Sequence, residues 1–269
     1  MSNAARRSAT IDQERAAKEL VNARSARGCI RPPSEQYQPF GLQEAYGLAA
    51  SVAAGWRSIG NRSRGIKIGL TYRPAWEKLG LSHPVWAPVY EQGIVDGEVA
   101  ESDLVSPRIE AEVVLALKEP LAPGATRAEV ARAVEWAALS FEIVDCHFPE
   151  WKLTPPDLVA DFGCHAGLAV GEPVRVDLAA SPDLAQLEVS LTCDGDHVAS
   201  GSGRDVLGGP IECLQELLAA PGAPSLASGD LIATGALTGR AHPVSAGQTW
   251  LITAGPSSPF RPAGLRIVP

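Results

Sequence analysis

The apolar residues in the first quarter of the chain recur at the spacing of amphipathic helices. Between residues 12 and 28, Ala17 and Leu20 fall on one helical face, and Gly28 supplies a stop signal. A second segment of helical character, "LQEAYGLAASVAAGW", covers about 42–56 and follows the Pro-rich break "IRPPSEQYQPFG". The pattern therefore predicts two helices in this part of the chain.

From "GIKIGLTY" onward the pattern changes to short apolar runs of β character, which Gly and Pro residues interrupt. Two predicted helices break it. One begins at a capping box formed by Thr126 and Glu129 and continues through "VARAVEWAALSFEI", and the other covers 208–220. We therefore predict a helical N-terminal region over residues 1–64 and a mainly β domain over residues 65–269.

One predicted strand carries two charges within an apolar run. In "SPRIEAEVVLALKEP", apolar residues extend from Ile109 to Leu117, but Glu110 and Glu112 interrupt them. Side chains two apart in a strand share a face, and their Cα atoms lie about 6.5–7 Å apart. A strand that is apolar on both faces is normally buried on both. The sequence therefore places two carboxylates side by side on a face that we predict to be buried.

Two buried like charges require a counter-charge, or else the pKa of one carboxyl rises steeply. A hard divalent cation prefers oxygen ligands and would supply the counter-charge for Glu110 and Glu112. Two more carboxylates, Glu142 and Asp145, lie in the apolar run at the end of the helix predicted after Thr126, and a third carboxylate would complete a triad. The alternatives are an edge strand with both glutamates in solvent, and a helix-end glutamate in an ordinary salt bridge.

A lysine also lies within an apolar run, because Lys67 is flanked by Ile66 and Ile68 in "GIKIGLT". A lysine in this position either extends its ammonium group to water or enters a polar pocket. Beside a metal ion, a partly buried lysine could hold a substrate carboxylate or shuttle a proton. Lys67 is therefore a candidate for the same site, with a solvent-directed side chain as the alternative.

The composition is that of a globular protein and argues against nucleic-acid-binding and membrane-spanning proteins. The chain has 269 residues, of which 45% are hydrophobic and 20% charged, as in ordinary globular proteins. Its net charge of −8 argues against a nucleic-acid partner, and no apolar run approaches the ~20 residues of a membrane span. The N-terminus lacks the apolar segment of a secretory signal. The five cysteines form no C-x-x-C pair, which favours reduced thiols and a cytoplasmic location.

The order of the motifs resembles that of a known family. "GIKIGLT", "HPVWAPV", "SPRIEAEVVLAL", "FEIVDCHFPEWK", "DLVADFG" and "GDLIATGALTG" follow one another as in the fumarylacetoacetate hydrolase superfamily, from about Ala17 to the end. The branch that they resemble most contains the 2-keto-4-pentenoate hydratases and the 2-oxo-3-hexenedioate decarboxylases. This resemblance implies an α+β fold with a mixed β-roll core, in which residues 65–269 form the catalytic domain and residues 1–64 a cap or lid.

The resemblance also implies a metal site and the groups around it. The implied ligands of Mg²⁺ or Mn²⁺ are Glu110, Glu112 and Glu142. Lys67 would lie near the substrate. Thr234 and Thr238, in "ATGALTG", resemble a segment that hydrogen-bonds the substrate carboxylate, and a structural turn is the alternative for both.

Several residues depart from the pattern of this branch. Hydratases of this branch usually carry "PDxG" where this chain has "PVWA". Val85 therefore replaces the aspartate that is assigned to proton transfer in the hydratases. The decarboxylases of the branch are also apolar at this position. The segments "EIVDCH" and "ADFGCH" introduce His147 and His165, and Phe162 stands where the branch tends to have Asn. Either histidine could be catalytic, or a core residue bonded to a backbone carbonyl. His242, beside a proline, is predicted to lie in a loop.

Within this family the residues favour hydrolysis of a carbon–carbon bond. Val85 cannot move the proton that hydration requires, whereas His147 or His165 could activate a water molecule. We predict a Mg²⁺- or Mn²⁺-dependent hydrolase of an acylpyruvate, of the maleylpyruvate or fumarylpyruvate class, that releases a metal-stabilised pyruvate enolate. Hydration of a dienoate, decarboxylation of a 2-oxo-3-enedioate and a non-catalytic metal-binding scaffold are the alternatives. We expect a homo-oligomer that acts on a small 2-oxo dicarboxylate.

Overall fold

The structure is a computed structural model that describes residues 12–177 and 183–269, so residues 1–11 of the predicted cap lie outside it. The helices of the described residues are α1 (Gln13–Ala26), α2 (Pro33–Gln36), α3 (Leu42–Ser58), α4 (Trp76–Leu79), α5 (Arg127–Ala133), α6 (Pro155–Ala160) and α7 (Pro210–Ala219). The strands are β1 (Ser63–Gly69), β2 (Val85–Tyr90), β3 (Ile94–Val95), β4 (Glu98–Ala100), β5 (Pro107–Leu117), β6 (Val134–Asp145), β7 (His165–Val170), β8 (Val174–Arg175), β9 (Glu188–Cys193), β10 (Asp196–Ser202), β11 (Leu231–Ala233), β12 (His242–Pro243), β13 (Thr249–Ala254) and β14 (Ala263–Val268).

The two helices predicted at the start of the chain are confirmed as α1 and α3. Helix α1 begins at Asp12, whose side chain accepts a hydrogen bond from the Arg15 amide at 3.1 Å, and it ends at Arg27, which adopts a left-handed conformation with φ of 52°. Both helices turn an apolar face inward, which includes Leu20 of α1 and Leu48 of α3.

The main sheet has the strand order β2-β1-β11-β5-β6-β7-β3, with β12 beside β5 and β8 beside β6. Strands β5 and β6 form its long antiparallel centre, while β1 pairs with β11 and β3 with β7 in parallel. A second sheet has the order β10-β9-β13-β14-β4. The α+β architecture with mixed sheets and N-terminal helices, predicted from the sequence, is confirmed.

The larger hydrophobic core lies between the two sheets and the helices packed against them. It contains Val113 and Leu115 of β5, Leu191 of β9, Ile252 of β13 and Leu214 of α7, all fully buried. Successive side chains of β5 point to opposite faces of the sheet, so Val113 and Leu115 face this core while Glu112 faces the other side. The charged face of β5 is therefore directed away from the larger core.

A second core joins the N-terminal helices to the charged side of the main sheet. Leu20 and Leu48 pack there with Val85 of β2 and with Phe148 and Phe162, which lie near the ends of β6 and α6. The N-terminal helices therefore cover the face of the sheet that carries the glutamates.

The helix predicted through "VARAVEWAALSFEI" is only partly correct. The capping box forms, because the Thr126 amide donates to Glu129 Oε2 at 2.7 Å, but α5 ends at Ala133 and the chain continues as β6. An apolar run buried on both faces has no periodicity that separates a strand from a helix. The segment becomes a strand because it pairs with β5 along its whole length, so Glu142 lies within a strand and not at a helix end.

The loop predicted at His242 is also wrong. His242 pairs with Ile109 in a short extension of the main sheet, and its side chain is buried. No helix of the described residues is long and apolar enough to cross a bilayer, and the five cysteines are free thiols.

Candidate active site

Three glutamates meet on one face of the main sheet. Glu110 of β5 is directly opposite Glu142 of β6 in the antiparallel register, and Glu112 follows Glu110 on the same face. Glu112 and Glu142 are completely buried, whereas Glu110 is partly exposed. One carboxylate oxygen from each of the three lies within 4.8 Å of the others. The structure therefore brings together all three predicted ligands.

Lys67 enters this site and does not extend to solvent. Its Nζ lies 3.0 Å from Oε1 and 3.2 Å from Oε2 of Glu142, and the residue is only 3% exposed. Gly163 packs against the lysine stem so closely that a Cβ on Gly163 would lie 2.5 Å from Lys67 Cε. The ammonium group is therefore confined between Glu142 and the backbone at Gly163.

His165 also contacts the cluster. Its Nδ1 lies 2.8 Å from Glu142 Oε1, while Nε2 is buried and has no hydrogen-bond partner among the described residues. Glu142 therefore has a lysine and a histidine as polar neighbours, and Nδ1 of the histidine is committed to orienting this carboxylate.

The charges at the site perturb one another strongly. Burial, together with Glu142, raises the pKa of Glu110 to about 7, and burial raises that of Glu112 well above the ordinary value. Burial acts in the same direction on Glu142, but Lys67 and His165 outweigh it and lower its pKa. Burial would lower the pKa of Lys67, yet the three carboxylates outweigh burial and raise it.

A divalent cation fits this set of groups. Three carboxylates face a single lysine, so negative charge is in excess, and neither oxygen of Glu112 has a hydrogen-bond partner within the described part of the chain. A buried carboxylate without hydrogen bonds is costly unless it coordinates a metal ion. Oxygen-only ligation suits Mg²⁺, Mn²⁺ or Ca²⁺. Glu110, Glu112 and Glu142 are therefore the residues that could hold such an ion.

The raised pKa of Glu110 predicts how stability depends on pH. From about pH 4.5 to 7, the unfolded chain loses this proton while the folded chain keeps it, so the free energy of unfolding falls as the pH rises. We expect Tm of the chelator-treated protein to fall across this range and the fall to disappear with saturating Mg²⁺, because the cation replaces the proton. Calorimetric scans with and without Mg²⁺ measure this, and a pH-independent Tm without metal would contradict the prediction.

His147 lies in a different network from His165. Its Nδ1 is 2.8 Å from Asp161 Oδ2 and its Nε2 is 3.9 Å from Asp145 Oδ2, and these are its side-chain polar contacts in the described ranges. Asp145 in turn accepts hydrogen bonds from the amides of Val105 and Ser106. His147 therefore makes no contact with the glutamates, although the sequence placed it beside Glu142.

The two threonines predicted to bind substrate make internal contacts. Thr234 is fully buried and donates its hydroxyl to the Val113 carbonyl at 2.8 Å, which ties β11 to β5. Thr238 is more exposed, and its Oγ1 lies 3.2 Å from Nε2 of His242. The Thr234 hydroxyl is thus committed to the sheet, while Thr238 keeps a partly accessible side chain.

Sequence reasoning missed one residue that contacts the segment carrying His165. Arg24 of α1 donates to Asp161 Oδ1 and to the His165 carbonyl, both at 2.9 Å. The signal was present, since an arginine occurs at helical spacing from Leu20 on the buried face of α1. Its partners are more than 130 positions away in the chain, so no local pattern identifies them.

Comparison with known proteins identifies the family. Residues 94–257 match the family described as "Fumarylacetoacetate (FAA) hydrolase C-terminal". A "2-keto-4-pentenoate hydratase 1" of Dechloromonas aromatica is 34% identical over 85% of this chain and 89% of its own. The chain belongs to the fumarylacetoacetate hydrolase family. A further member, a "4-oxalocrotonate decarboxylase" of a Pseudomonas species, is 32% identical over 66% of this chain and 70% of its own.

Solved structures of the family show the same fold. A 4-oxalocrotonate decarboxylase from Pseudomonas putida G7, complexed with magnesium and adipate, has a TM-score of 0.88 at 24% identity, and the match covers 95% of this chain and 97% of that one. A fumarylpyruvate hydrolase from Pseudomonas aeruginosa, in complex with Mn²⁺ and pyruvate, has a TM-score of 0.61 at 15% identity, over 76% and 89% of the chains. The expectation of a Mg²⁺ or Mn²⁺ cofactor is confirmed at the level of the family.

The prediction of an acylpyruvate hydrolase is wrong. Relatives that are 30–34% identical to this chain are 2-keto-4-pentenoate and 2-hydroxydienoate hydratases and a 4-oxalocrotonate decarboxylase. The error has a physical source, because the prediction counted on two histidines beside the metal ligands. The structure places only His165 there, and its Nδ1 is committed to Glu142. The protein is an enzyme of this family, and its relatives catalyse lyase reactions.

Proposed function

We propose that this protein is a divalent-metal-dependent lyase that decarboxylates a 2-oxo-3-enedioate formed in the breakdown of aromatic compounds. The observation that carries the proposal is the apolar side chain of Val85. This residue is buried and lies beside Gly69 in the register of β1 and β2. A methyl group on Gly69 would lie 3.5 Å from Val85 Cγ2 and 3.6 Å from Lys67 Nζ. The position at which the hydratases of this branch carry an aspartate is therefore next to the ammonium group and without an acid or base.

Decarboxylation needs an electron sink and a proton, but no carboxylate acid/base. The bond to the distal carboxylate breaks, CO₂ leaves, and the electron pair moves through the conjugated chain to the 2-oxo oxygen. That oxygen takes up a proton, and the product is a 2-hydroxydienoate. Mg²⁺ or Mn²⁺ held by Glu110, Glu112 and Glu142 would supply the Lewis acid for the 2-oxo group.

The residues of the chain have separate tasks in this proposal. Lys67 carries three donor hydrogens, of which Glu142 takes up to two, so a third can hold the substrate and supply the proton. His165 fixes Glu142 through Nδ1. Val85 excludes water from the region where the distal carboxylate is lost, which favours conversion of a charged group into neutral CO₂. Thr238 is retained as a candidate for binding the substrate carboxylate.

Hydration of a 2-hydroxydienoate is the second candidate. It is favoured by the 34% identity to a hydratase and by Nε2 of His165, which is buried without a partner and could transfer a proton in place of the missing aspartate. The two reactions differ in their products, since decarboxylation releases CO₂ and hydration adds water to the diene.

Product analysis distinguishes the two reactions. The Mg²⁺-loaded protein is incubated separately with a 2-oxo-3-enedioate and with a 2-hydroxydienoate, and the products are identified by mass spectrometry. The proposal expects CO₂ and a 2-hydroxydienoate from the first substrate and no turnover of the second. Hydration of the dienoate without release of CO₂ from the enedioate would overturn it in favour of the second candidate.

Substitution of Val85 tests the same assignment within the chain. We expect Val85→Asp to lower kcat for decarboxylation by about 10²-fold, because the new carboxylate draws Lys67 away from the substrate and repels the distal carboxylate. Val85→Ala is the matched control, since it removes bulk without adding charge. A Val85→Asp variant that decarboxylates like Val85→Ala would show that the apolar residue has no role.

Three further features belong to the proposal. Residues 1–64 act as a cap that shields the site, which is supported by the packing of Leu20 and Leu48 on the face that carries the glutamates. Residues 65–269 form the catalytic domain. The protein works as a homo-oligomer in the cytoplasm.

A further inference from the structure

The segment from Asp161 to His165 holds an unusual backbone conformation. It connects α6 to β7, and its three central residues all have positive φ: 52° at Phe162, 64° at Gly163 and 58° at Cys164. Phenylalanine and cysteine rarely adopt the left-handed region, so such a conformation persists only where the surroundings enforce it. The contacts that enforce it are therefore of functional interest.

On its inner side, this segment touches the acidic site twice. Gly163 packs on Lys67, where a Cβ would lie 2.5 Å from Cε and 3.1 Å from Nζ, and His165 Nδ1 lies 2.8 Å from Glu142 Oε1. The position of the segment thus sets the position of the ammonium group and of one predicted metal ligand. A small shift of the segment would move both of them.

On its outer side, the segment is held by one residue of the cap. Arg24 donates from Nε to Asp161 Oδ1 at 2.9 Å, from Nη2 to the Asp161 carbonyl at 2.5 Å, and from Nη1 to the His165 carbonyl at 2.9 Å. The guanidinium group also lies 5.3 Å from the centre of the Phe162 ring. One planar side chain therefore fixes both ends of the strained segment.

Asp161 connects the hydrogen bonds of Arg24 to the end of β6. It is buried, and while Oδ1 accepts from Arg24, Oδ2 lies 2.8 Å from Nδ1 of His147. The backbone carbonyl of His147 accepts in turn from the Ile30 amide, which follows α1. His147 thus belongs to the connection between the cap and the β domain.

We propose that Arg24 is a positioning residue through which the cap sets the geometry of Lys67 and Glu142. Arg24 acts on the site only through the segment between Asp161 and His165. The expected loss of kcat rests on the proposed lyase function. The expected change in the 161–165 segment does not, because it is measured on the free enzyme. In this proposal the cap both excludes water from the site and holds Lys67 and Glu142 in the geometry that the reaction needs.

The test compares Arg24→Met with Arg27→Met, a matched control. Arg27 ends the same helix and forms an ion pair with Asp103, with both side chains about half exposed. For each Mg²⁺-loaded variant, kcat and KM for the 2-oxo-3-enedioate, the Kd for Mg²⁺, Tm, and amide hydrogen exchange of residues 161–165 are measured. Exchange is measured without substrate, so it is informative whether or not the proposed reaction is correct.

Arg24→Met is expected to lose about 10²-fold in kcat, because a displacement near 1 Å at the reacting groups has this effect. KM at saturating Mg²⁺ is expected to change by less than about threefold, since loss of geometry in the transition state lowers kcat alone. The Kd for Mg²⁺ is expected to rise by about 10–100-fold, because the segment orients Glu142 through His165. Amide exchange in the segment is expected to accelerate in this variant and to stay unchanged in Arg27→Met. Loss of folding stability alone would not separate kcat from KM in this way.

Arg24→Lys keeps the charge but cannot donate in three fixed directions, so we expect an intermediate loss of kcat at a nearly unchanged Tm. If Arg24→Met does not fold, this variant decides the question, and a wild-type kcat in it would overturn the proposal. Equal kcat in Arg24→Met and Arg27→Met, or unchanged exchange at 161–165, would also overturn it. If the wild-type enzyme turns over no 2-oxo-3-enedioate, the proposed function fails, and the exchange data alone support or overturn the role of Arg24.

Discussion

Replacement of Glu112 by Gln is expected to abolish Mg²⁺ binding and, with it, turnover. Glu112 is completely buried, and neither of its oxygens has a hydrogen-bond partner among the described residues, so its charge is available to a cation. The amide of Gln removes one negative charge from a site in which three carboxylates face one lysine, and it binds Mg²⁺ poorly. Titration calorimetry of the variant should show no heat of Mg²⁺ binding under conditions that saturate the wild-type protein.

The same substitution is expected to stabilise the metal-free protein. A buried carboxylate without partners opposes folding, whether it stays charged or takes up a proton, and a neutral amide reduces this cost. Saturating Mg²⁺ should reverse the order, because a ligand at 100 times its Kd stabilises the wild type by about 2.7 kcal/mol. Glu119→Gln, at an exposed ion pair with Arg132, is the control and should leave both Tm and Mg²⁺ affinity unchanged. Normal Mg²⁺ affinity in Glu112→Gln would refute the ligand assignment.

Lys67→Met is expected to lower kcat by about 10²–10⁴-fold, the range associated with loss of a positioned proton donor. The expected effect on metal affinity has the opposite sign. The ammonium group lies 3.0 Å from Glu142 and competes with the cation for this carboxylate, so its removal should tighten Mg²⁺ binding or leave it unchanged. Kinetic and calorimetric measurements on the same variant therefore separate the role of Lys67 from that of the metal ligands.

The matched control for this variant is Lys118→Met. Lys118 follows β5 and is exposed, so neither kcat nor Mg²⁺ affinity should change. Loss of Mg²⁺ binding in Lys67→Met would contradict the prediction, because it would show that the lysine maintains the site and does not take part in the reaction. Wild-type turnover would exclude Lys67 from catalysis.

The part of the site that could be predicted is the part that follows from the strand period. Glu110 and Glu112 share a face because they lie two residues apart, and Lys67 could be singled out because apolar residues flank it. Glu142 was identified as a residue but assigned to the wrong element, since a doubly buried strand lacks the alternation that would distinguish it from a helix. The family resemblance added Glu142 to the two glutamates of β5, so the acidic cluster could be predicted without the correct secondary structure.

The histidines show where sequence reasoning failed. His147 comes two residues after the end of β6, so its side chain no longer follows the face that carries Glu142, and it contacts Asp161 instead. His165 begins β7, where the register pairs it with Val144, two residues beyond Glu142 on β6, and its side chain reaches Glu142 from there. Register between strands depends on the whole fold. The contacts of Arg24 depend on it as well, because they join positions more than 130 residues apart.

The two largest hydrophobic cores differ in which parts of the chain build them. Every buried member of the larger core among the described residues lies at or after Ile66, whereas the second core combines the cap helices with the face that carries the glutamates. We therefore expect the N-terminal helices to open as a cooperative unit while the two sheets stay folded, with an opening free energy below that of global unfolding. Such an opening would give products a route out of a buried site. It would also allow sequence change in the N-terminal helices to alter substrate choice in descendants of this enzyme without rebuilding the sheet that carries the three glutamates.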